Sequence, residues 1–390
     1  MRLGGKLHLG HYHGVLKYWI QLQYEHNCLF MVADIHGLTS QYEDTRSFEQ
    51  NIFDMVVSWL AVGIDPSQAV IFIQSQVPEH LELQGILSMI TPLSWLERVM
   101  SYKEQVEREQ NKVIDTYGAL GYPLLQSADV LLYNSRYVPL RQEELSHIEF
   151  TREIARRFNH LYGRENGYED LAMLSIKKLS EHKANLYITL LTRYQQNGDD
   201  DALDEARSLI GDSINISNLD KERLLGFLEN KGKIILQEPQ VLALDTELIV
   251  GLDGAKMSRS YANTIDLLED KESILLKIKE MQTDPSRVRL TDKGNPEECP
   301  VWKLHQVYST DANKKWVENG CTNASIGCLD CKGVLSETIC VEQAAFRAKA
   351  MEYTKDVNLV RKILAEGRDN ARAIASERLK LVKKAMKIYY

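Results

Sequence analysis

The sequence predicts an α/β protein that has a doubly wound parallel sheet, a helical insertion and a C-terminal all-α domain. Three observations support this fold class. Strand-like and helix-like segments alternate through the first half, a polar all-helical stretch follows at 167–232, and the chain after about residue 266 is helical except around a group of cysteines. A chain of 390 residues is long enough for two or three domains with their own cores.

The alternation begins with an apolar-periodic helix that starts near Gly10 and leads into a strand at 28–33. Alternating strands and helices are typical of a parallel sheet with helices on both faces. The further predicted elements are a helix at 46–62, a strand at 69–74, a helix at 79–90, a helix at 124–132, a strand at 137–140 and a helix at 144–161. We therefore predict four parts: a sheet domain at 1–166, the insertion at 167–232, the rest of the sheet domain at 233–265, and a helical domain at 266–390.

Composition and charge exclude several classes of protein. Hydrophobic residues make up 44% and charged residues 26% of the chain, which is typical of a soluble globular protein. No apolar run reaches the length of a membrane span, and the N-terminus lacks a signal-peptide pattern, so we expect a cytoplasmic protein with no membrane partner. The formal charge of −8 argues against indiscriminate nucleic-acid binding, and we expect no DNA partner.

A local basic cluster near the C-terminus is compatible with RNA binding despite the negative overall charge. On charge alone, a solvated helix face explains this cluster at least as well as an RNA contact does. The basic cluster consists of Arg361, Lys362, Arg368, Arg372, Arg378, Lys380, Lys383, Lys384 and Lys387.

The tetrad His-Leu-Gly-His at 8–11 stands at the predicted start of the first helix. The N-terminus of a helix directs free backbone N–H groups and the positive end of its dipole toward an anion. Gly10 has no side chain, so a purine or a phosphate can approach the backbone closely. His8 and His11 can donate hydrogen bonds to phosphate oxygens as charge develops in a transition state. Taken alone, two histidines at an ordinary helix start explain the tetrad equally well.

The pentad Lys-Met-Ser-Arg-Ser at 256–260 follows a turn-rich stretch at 251–255 that suits a loop. Lys256 carries a compact charge on a flexible stem, and Arg259 offers a rigid fork of hydrogen-bond donors. The two serines add hydroxyl donors. The pentad therefore predicts a second phosphate-binding element, and a solvated basic loop is the alternative.

Together, and in this order, the two motifs resemble the signature motifs of class I aminoacyl-tRNA synthetases. Further segments resemble the bacterial tryptophanyl-tRNA synthetases, and the similarity covers nearly the whole chain. The resemblance implies a Rossmann-like catalytic domain and a helical anticodon-binding domain at 266–390. It also implies ATP with Mg²⁺, L-tryptophan and tRNA(Trp) as ligands, and a homodimer. The segments are Lys6–Gly14, Ala33–Thr39, Val77–His80, Trp95–Arg98, Tyr102–Gln105, Gly121–Asp129, Phe150–Asn159 and Pro300–His305.

The resemblance implies that Asp129 accepts the indole N–H of tryptophan. Indole is only a donor, so a pocket that recognises it needs a buried acceptor, and the apolar neighbours of Asp129 agree with burial. A surface carboxylate on a helix is the alternative. Tyrosine is the competing substrate, because tyrosyl enzymes share this architecture. The other pocket residues that the resemblance implies are His36, Tyr122, Gln126, Val138 and Glu144.

The predicted reaction is the ATP-dependent activation of tryptophan to tryptophanyl-adenylate, followed by transfer of the acyl group to tRNA(Trp). The tryptophan carboxylate is already ionised at neutral pH, so catalysis consists of positioning and charge stabilisation. We assign His8 and His11 to the phosphates, Gly10 to the close approach of adenosine, and the 256–260 loop to the departing pyrophosphate. The predicted catalytic set is His8, Gly10, His11, Lys256, Ser258 and Arg259, and Met257 and Ser260 complete the ATP contacts.

Two departures from the family pattern favour impaired activity as an alternative. Only seven residues precede His8, where the family has a short central strand, so we expect an exposed strand edge and a truncated or mis-started chain. Arg141 replaces a glycine beside ATP, and Glu144 replaces a glutamine near the substrate amino group. A related small-molecule adenylyltransferase and a non-catalytic RNA-binding or metal-sensing relative are further alternatives.

Four cysteines follow the spacing C-x21-C-x6-C-x2-C. Disulfides are disfavoured in a cytoplasmic protein, and the last two cysteines have the spacing of a metal chelate. Some tryptophanyl enzymes carry a [4Fe–4S] cluster at nearly this spacing, so the resemblance implies such a cluster, with structural zinc or free thiols as alternatives. We interpret Cys28 as a core residue of a strand and Cys340 as a bystander. The four ligand candidates are Cys299, Cys321, Cys328 and Cys331.

Overall fold

The structure, a computed structural model, describes residues 1–99, 116–140, 145–164, 167–229, 232–244 and 249–389. Every helix within these ranges is too short or too polar to cross a lipid bilayer. The chain forms two compact units. The first unit comprises Met1–Gln76 and Leu244–Asn370, and the second comprises Val77–Ala243 and Ala371–Tyr390.

Two parallel strands lie in the core of the first unit. Strand β1 is Cys28–Val32 and strand β2 is Ala69–Ile73. They pair in register from Cys28 opposite Ala69 to Val32 opposite Ile73, which confirms both predicted strands. Their apolar side chains belong to one continuous hydrophobic core that also includes residues of the later helices of this unit. Strand β2 is largely buried on both faces, and β1 is at least half-buried on both, which explains why their sequences are nearly continuous apolar runs.

The first three residues pair with the end of β1. Arg2 and Ala33 form a parallel bridge, and the Ala33 N–H donates to the Met1 carbonyl at 2.9 Å. Leu3 is 1% exposed and packs into the core. The expectation that the short leader leaves this edge of the strand unpaired is therefore wrong. Three extended residues are sufficient to satisfy the backbone groups at the end of β1.

The helices of the first unit pack around these strands. Helix α1 covers residues 9–25 and changes character along its length, from an α-turn at Leu9–His11 through a π-helical segment at Tyr12–Leu16 to an α-helix at Lys17–Glu25. Helix α3 ends at Gly63, whose φ of 115° lies in the left-handed region that glycine adopts without strain. The helices after α1 are α2 Asp34–Gln41, α3 Phe48–Val62, α12 Lys271–Glu280, α13 Pro300–Tyr308, α14 Asp311–Thr322, α15 Cys328–Lys355 and the first part of α16 Val357–Ala385.

The second unit contains another pair of parallel strands, β3 Tyr137–Leu140 and β4 Gln240–Ala243. Helices α4 (Glu79–Ser88) and α7 (Leu145–Tyr162) both pack against α6 (Tyr117–Leu132). Helix α6 begins after Thr116, whose hydroxyl accepts from the Ala119 N–H at 3.3 Å. The helices of this unit are α4 Glu79–Ser88, α5 Leu93–Leu96, α6 Tyr117–Leu132, α7 Leu145–Tyr162, α8 Tyr168–Lys177, α9 Glu181–Asn197, α10 Asp200–Gly211, α11 Asn218–Leu228 and the last part of α16.

The polar stretch after residue 167 folds as four helices with a hydrophobic core of their own. Tyr187 is fully buried there, and its hydroxyl donates to the Leu224 carbonyl at 2.7 Å. Asp199 and Ser217 cap two of the helices through side-chain oxygens that accept backbone N–H groups. The predicted α/β class and the helical C-terminal part are confirmed. The four-part domain division stays a prediction.

Candidate active site

The His-Leu-Gly-His tetrad begins helix α1 in the first unit. His8 is the last extended residue before the helix, and Gly10 lies in the first turn. The His8 N–H donates to Nδ1 of His11 at 3.2 Å, and the two ring centroids are 3.8 Å apart. The structure therefore holds both imidazoles together at a helix N-terminus, as the tetrad predicts.

Burial controls the charge of His8. Its side chain is 6% exposed. Burial, helped by the Arg259 guanidinium, lowers the pKa of His8 to about 4. Its Nδ1 atom has no hydrogen-bond partner among the described residues. At neutral pH this ring is uncharged, so it can offer a phosphate one N–H donor but no positive charge.

The π-helical segment directly after the tetrad is fixed by contacts with later helices of the same unit. The His13 ring and the Tyr308 hydroxyl are hydrogen-bonded at 2.8 Å, and the Tyr12 ring lies 5.0 Å from that of Phe346. Burial, with Lys17 nearby, lowers the pKa of His13 to about 4. Segments of this type insert one residue into a helix and often occur near functional sites.

The Lys-Met-Ser-Arg-Ser loop is organised by Asn263, which sequence reasoning missed. Its side-chain oxygen accepts the Ser258 N–H at 2.8 Å, and its amide group donates to the Asp253 carboxylate at 2.7 Å and to the Lys256 carbonyl at 3.1 Å. Asn263 is 2% exposed. Asparagine in a turn-rich stretch is a known signal for side-chain bonds to nearby backbone, so the residue could have been identified from sequence.

Backbone hydrogen bonds join the residues around the tetrad to a short segment that follows the loop. The Leu9 N–H donates to the Ile265 carbonyl at 3.1 Å, and the Leu267 N–H donates to the Leu7 carbonyl at 2.8 Å. A Cβ atom built on Gly10 would lie 3.6 Å from Cβ of Met257. The tetrad and the loop, which are about 250 residues apart in sequence, therefore lie side by side in the first unit.

The side chains of the loop differ in exposure. Lys256 and Ser260 are exposed, Ser258 and Arg259 are half-buried, and Met257 is 4% exposed. The Arg259 guanidinium donates to the Gly4 carbonyl, on the strand side of the tetrad. Arg259 is thus turned toward the residues before His8, whereas the Lys256 side chain is exposed next to a tight turn.

The predicted tryptophan contacts fall in both units. His36 lies on α2 of the first unit and is 4% exposed. In the second unit, Asp129 on α6 is hydrogen-bonded to Nδ1 of His80 on α4 at 2.6 Å. In the sequence, His80 belongs to one of the segments that resemble the family, Val77–His80, but the sequence alone predicts no role for it.

The remaining predicted tryptophan contacts differ in their surroundings and exposure. Tyr122 on α6 faces His147 on α7, with ring centroids 6.3 Å apart. Gln126 has a buried side-chain oxygen without a hydrogen-bond partner among the described residues, and Val138 is half-buried on β3. Arg141 and Glu144, the two departures from the family pattern, lie outside the described residues, as does the segment Tyr102–Gln105.

The four spaced cysteines line one cavity of the first unit. The cavity encloses about 330 Å³ of space, including its open side, and it is also lined by Asp284 and Arg287. The Arg287 guanidinium lies 3.7 Å from the Cys321 sulfur. Burial, together with the other three thiols, raises the pKa of the Cys331 thiol to about 12. The four residues that the spacing selected are thus brought together, namely Cys299, Cys321, Cys328 and Cys331.

Among the residues that the structure describes, no three His, Cys, Asp or Glu side chains are arranged to hold one metal ion. Cys28 is half-buried against the core and Cys340 is buried, and neither lines the cavity.

Part of the basic cluster on α16 has partners within the second unit. Arg372 donates to the Glu79 carboxylate at 3.0 Å, and Lys383 pairs with Glu82. Arg378 donates to the Ile235 carbonyl at 2.7 Å. These three cations hold the last helix to its own unit, so the basic cluster is not simply a surface for RNA.

Comparison with known proteins gives a consistent result. The family described as tRNA synthetases class I (W and Y) matches residues 4–194 and 222–340. A tryptophan–tRNA ligase of Ralstonia nicotianae is 51% identical over 390 residues, covering 100% of this chain and 98% of that protein. A tryptophan–tRNA ligase of Thermotoga maritima is 36% identical, with the same coverage of both chains. A tryptophanyl-tRNA synthetase structure from Campylobacter jejuni, complexed with ADP and tryptophan, has a TM-score of 0.74 at 24% identity and covers 99% of this chain and 98% of its own.

Proposed function

The chain belongs to the class I tRNA synthetase family of the tryptophan and tyrosine enzymes, and we propose that it activates L-tryptophan with ATP and loads it onto tRNA(Trp). The observation that carries the proposal is the junction between the His-Leu-Gly-His tetrad and the Lys-Met-Ser-Arg-Ser loop. The choice of tryptophan follows from full-length relatives that are named as tryptophan–tRNA ligases.

The reaction has two steps. A carboxylate oxygen of tryptophan attacks the α-phosphorus of ATP, and the bond from that phosphorus to pyrophosphate breaks. A terminal ribose hydroxyl of tRNA then attacks the carbonyl carbon of the adenylate, and AMP leaves with the bonding electron pair. The first step needs no general base, so the protein contributes binding, orientation and charge stabilisation.

The ATP site is assigned to the joined motifs. His8 is buried and neutral, so it donates one hydrogen bond to a phosphate, and His11 beside it is the second donor. Gly10 has no side chain of its own beside the His8 ring and Met257, so we propose that adenosine approaches its backbone closely. Mg²⁺ accompanies ATP and neutralises part of the phosphate charge.

The loop is assigned to the leaving pyrophosphate. Lys256 is exposed at a turn that Asn263 fixes, so its ammonium group can follow the phosphates without a change in the loop backbone. Ser258 and Ser260 add hydroxyl donors. Arg259 contacts the Gly4 carbonyl and lies close enough to His8 to lower its pKa, which suits it to hold the tetrad and the loop together around the nucleotide.

Recognition of the amino acid is assigned to Asp129. Its carboxylate accepts the indole N–H, and a ligand without that donor loses this hydrogen bond, which costs up to about 10⁴-fold in the strongest cases. We propose that Tyr122, Gln126 and Val138, in the same unit as Asp129, also contact tryptophan. His36 and Glu144 stay predicted tryptophan contacts, with Glu144 proposed to pair with the substrate ammonium. Reduced activity caused by Arg141 stays a prediction.

The cysteine cavity is proposed to hold a [4Fe–4S] cluster, with zinc as the alternative. Four thiols line one cavity, and four cysteine thiolates are the ligand set that holds a [4Fe–4S] cluster. Arg287 beside Cys321 supplies a positive charge that would balance thiolates. A bound cluster would fix the helices that carry the cysteines. We expect absorbance near 400 nm from anaerobically purified protein, lost in Cys328→Ser; a colourless protein that contains zinc would contradict the cluster.

The remaining assignments concern partners and location. We propose a homodimer that works in the cytoplasm, with the 266–390 part binding the anticodon region of tRNA(Trp). Unpaired tRNA bases are recognised by stacking and by hydrogen bonds to their edges, so exposed side chains of these helices are the natural contacts. Arg361 and Lys384, which form no ion pair with the residues that the structure describes, are better candidates than Arg372, which pairs with Glu79.

The proposal is tested by pyrophosphate exchange and tRNA charging. The purified chain is expected to exchange pyrophosphate into ATP when tryptophan is present, and to charge tRNA(Trp). Exchange that depends on tyrosine and not on tryptophan would show that tyrosine is the substrate of this chain. Exchange with neither amino acid, from a folded protein, would favour a non-catalytic relative.

A further inference from the structure

Three side chains of the second unit form a hydrogen-bonded series that includes Asp129. Nδ1 of His80 lies 2.6 Å from an Asp129 carboxylate oxygen, and Nε2 lies 2.8 Å from the Tyr133 hydroxyl. The His80 side chain is completely buried, and that of Asp129 is 9% exposed. Because His80 is buried and both its nitrogens are engaged at short distances, its ring has one orientation available.

The helices fix this geometry. Asp129 lies on α6, and Tyr133 follows one turn later at the end of that helix, so both side chains point to the same side. His80 lies in the first turn of α4, which packs against α6. On α4 the neighbouring Glu79 is held by Arg372 and Ser376. The first turn of α4 therefore has its own anchor, independent of the contact between His80 and Asp129.

The direction of the hydrogen bonds follows from the groups involved. A carboxylate only accepts, so Nδ1 of His80 must carry the proton that it shares with Asp129. In a neutral ring, Nε2 then accepts the Tyr133 O–H. Burial, with the negative charges of Asp129 and Glu79, raises the pKa of Tyr133, so its hydroxyl stays protonated. Tyr133 thus favours the His80 tautomer that donates to Asp129.

We propose that His80 is a positioning residue for amino-acid selection, which donates to Asp129 and holds its carboxylate in the orientation that accepts the indole N–H. This inference deepens the proposed function and rests on its assignment of Asp129. A carboxylate accepts several hydrogen bonds, so the bond from His80 leaves capacity for the substrate. Without His80, the carboxylate loses the short hydrogen bond that orients it, and the preference for a substrate with an N–H donor falls.

The test compares tryptophan with β-(3-benzothienyl)alanine, in which sulfur replaces the indole N–H with little change of shape. The measured quantity is the ratio of kcat/KM values for the two amino acids in pyrophosphate exchange. His80→Gln keeps a group near the Nε2 position but loses the donor at the Nδ1 position. His80→Asn keeps a donor near the Nδ1 position and loses the contact with Tyr133.

The expected result is a selective loss. In His80→Gln, the preference for tryptophan falls at least about 10-fold, because one charge-assisted hydrogen bond is no longer oriented. His80→Asn retains most of the preference. Ser376→Ala, which removes a hydrogen bond to the neighbouring Glu79, serves as the control for disturbance of α4 and keeps the wild-type ratio. Equal losses for both amino acids in His80→Gln, with the ratio unchanged, would make His80 structural and overturn the proposal.

A second measurement does not depend on activity or on a variant that folds. In ¹⁵N-histidine NMR of the wild-type chain, His80 is expected to be protonated at Nδ1. A ring protonated only at Nε2 would contradict the proposal directly. Absence of exchange with tryptophan, or an Asp129→Asn variant with the wild-type ratio, would instead refute the function assigned to Asp129, while the NMR result would still decide which partner His80 donates to.

Discussion

The substitution Gly10→Ala separates the chemistry of the tetrad from its contribution to folding. A Cβ atom at this position would lie 3.0 Å from two atoms of the His8 ring and 3.6 Å from Cβ of Met257. The His8 ring is buried, so it must move by a few tenths of an ångström. The added methyl group also fills the space through which we propose that the nucleotide approaches the backbone.

The substitution is expected to change the free energy of unfolding little and the rate of exchange strongly. Alanine in a helix is more favourable than glycine by up to about 1 kcal/mol, and this gain offsets the close contact with His8. We therefore expect the free energy of unfolding to change by no more than about 1 kcal/mol. Displacement of a positioning group by about 1 Å costs up to roughly 100-fold in rate, so tryptophan-dependent pyrophosphate exchange is expected to fall between about 10-fold and 100-fold.

Exchange kinetics and thermal unfolding of the same preparation check this prediction. Gly211→Ala is the matched control, because Gly211 ends helix α10 and a Cβ atom there meets nothing within 4 Å. The control is expected to keep full exchange and to be as stable as the wild type or more so. Unchanged exchange in Gly10→Ala would refute the proposal that the nucleotide approaches the Gly10 backbone closely. A loss of exchange that matches the loss of folded protein would show that Gly10 contributes only to packing.

Three further predictions test charge, burial and close packing. Lys256→Ala should lower the kcat of exchange about 10-fold to 100-fold while the tryptophan Kd stays within about 3-fold, because we assign Lys256 to the departing pyrophosphate and not to tryptophan. Equal effects on kcat and Kd would contradict this assignment. Burial lowers the pKa values of His8 and His13 to about 4 in the folded chain. The free energy of unfolding is therefore expected to be constant with respect to these groups above about pH 6.5 and to fall between about pH 6.5 and pH 4, where only the unfolded chain binds the protons. The expected slope is up to about 1.4 kcal/mol per pH unit for each histidine. Urea unfolding at several pH values measures this slope, and the same slope after replacement of both histidines by asparagine would refute the assignment. Gly367→Ala should lower the free energy of unfolding by about 3 kcal/mol or more, because the new methyl group would overlap the Ile71 carbonyl of β2, and a wild-type denaturant midpoint would contradict that packing.

Local sequence patterns were sufficient for most elements. The strands β1 and β2 are apolar runs bounded by polar residues, and the helix now called α3 is a long apolar-periodic segment that ends at Gly63, so periodicity predicts all three. Helix α2 and strand β4 were not predicted. Helix α2 is short and begins directly after β1, and β4 has four residues that become a strand only by pairing with β3.

The parts of the site that sequence reasoning missed depend on contacts between distant segments. The π-helical segment after His11 is stabilised by Tyr308, almost 300 residues later, and no local propensity signals an extra residue in a helix turn. Likewise, His80 acquires its role only because α4 packs on α6 beside Asp129. The two motifs themselves could be recognised from residue types and spacing without any knowledge of the fold, and their role in phosphate binding stays a prediction.

A crystal structure of the chain with tryptophan and a non-hydrolysable ATP analogue tests the central claim most directly. The account predicts that, in one molecule, the triphosphate accepts hydrogen bonds from His11 and reaches the Lys256 ammonium, with adenosine against Gly10. A triphosphate that contacts only one of the two motifs, or that binds elsewhere in the first unit, would contradict the claim that both motifs act on the same nucleotide.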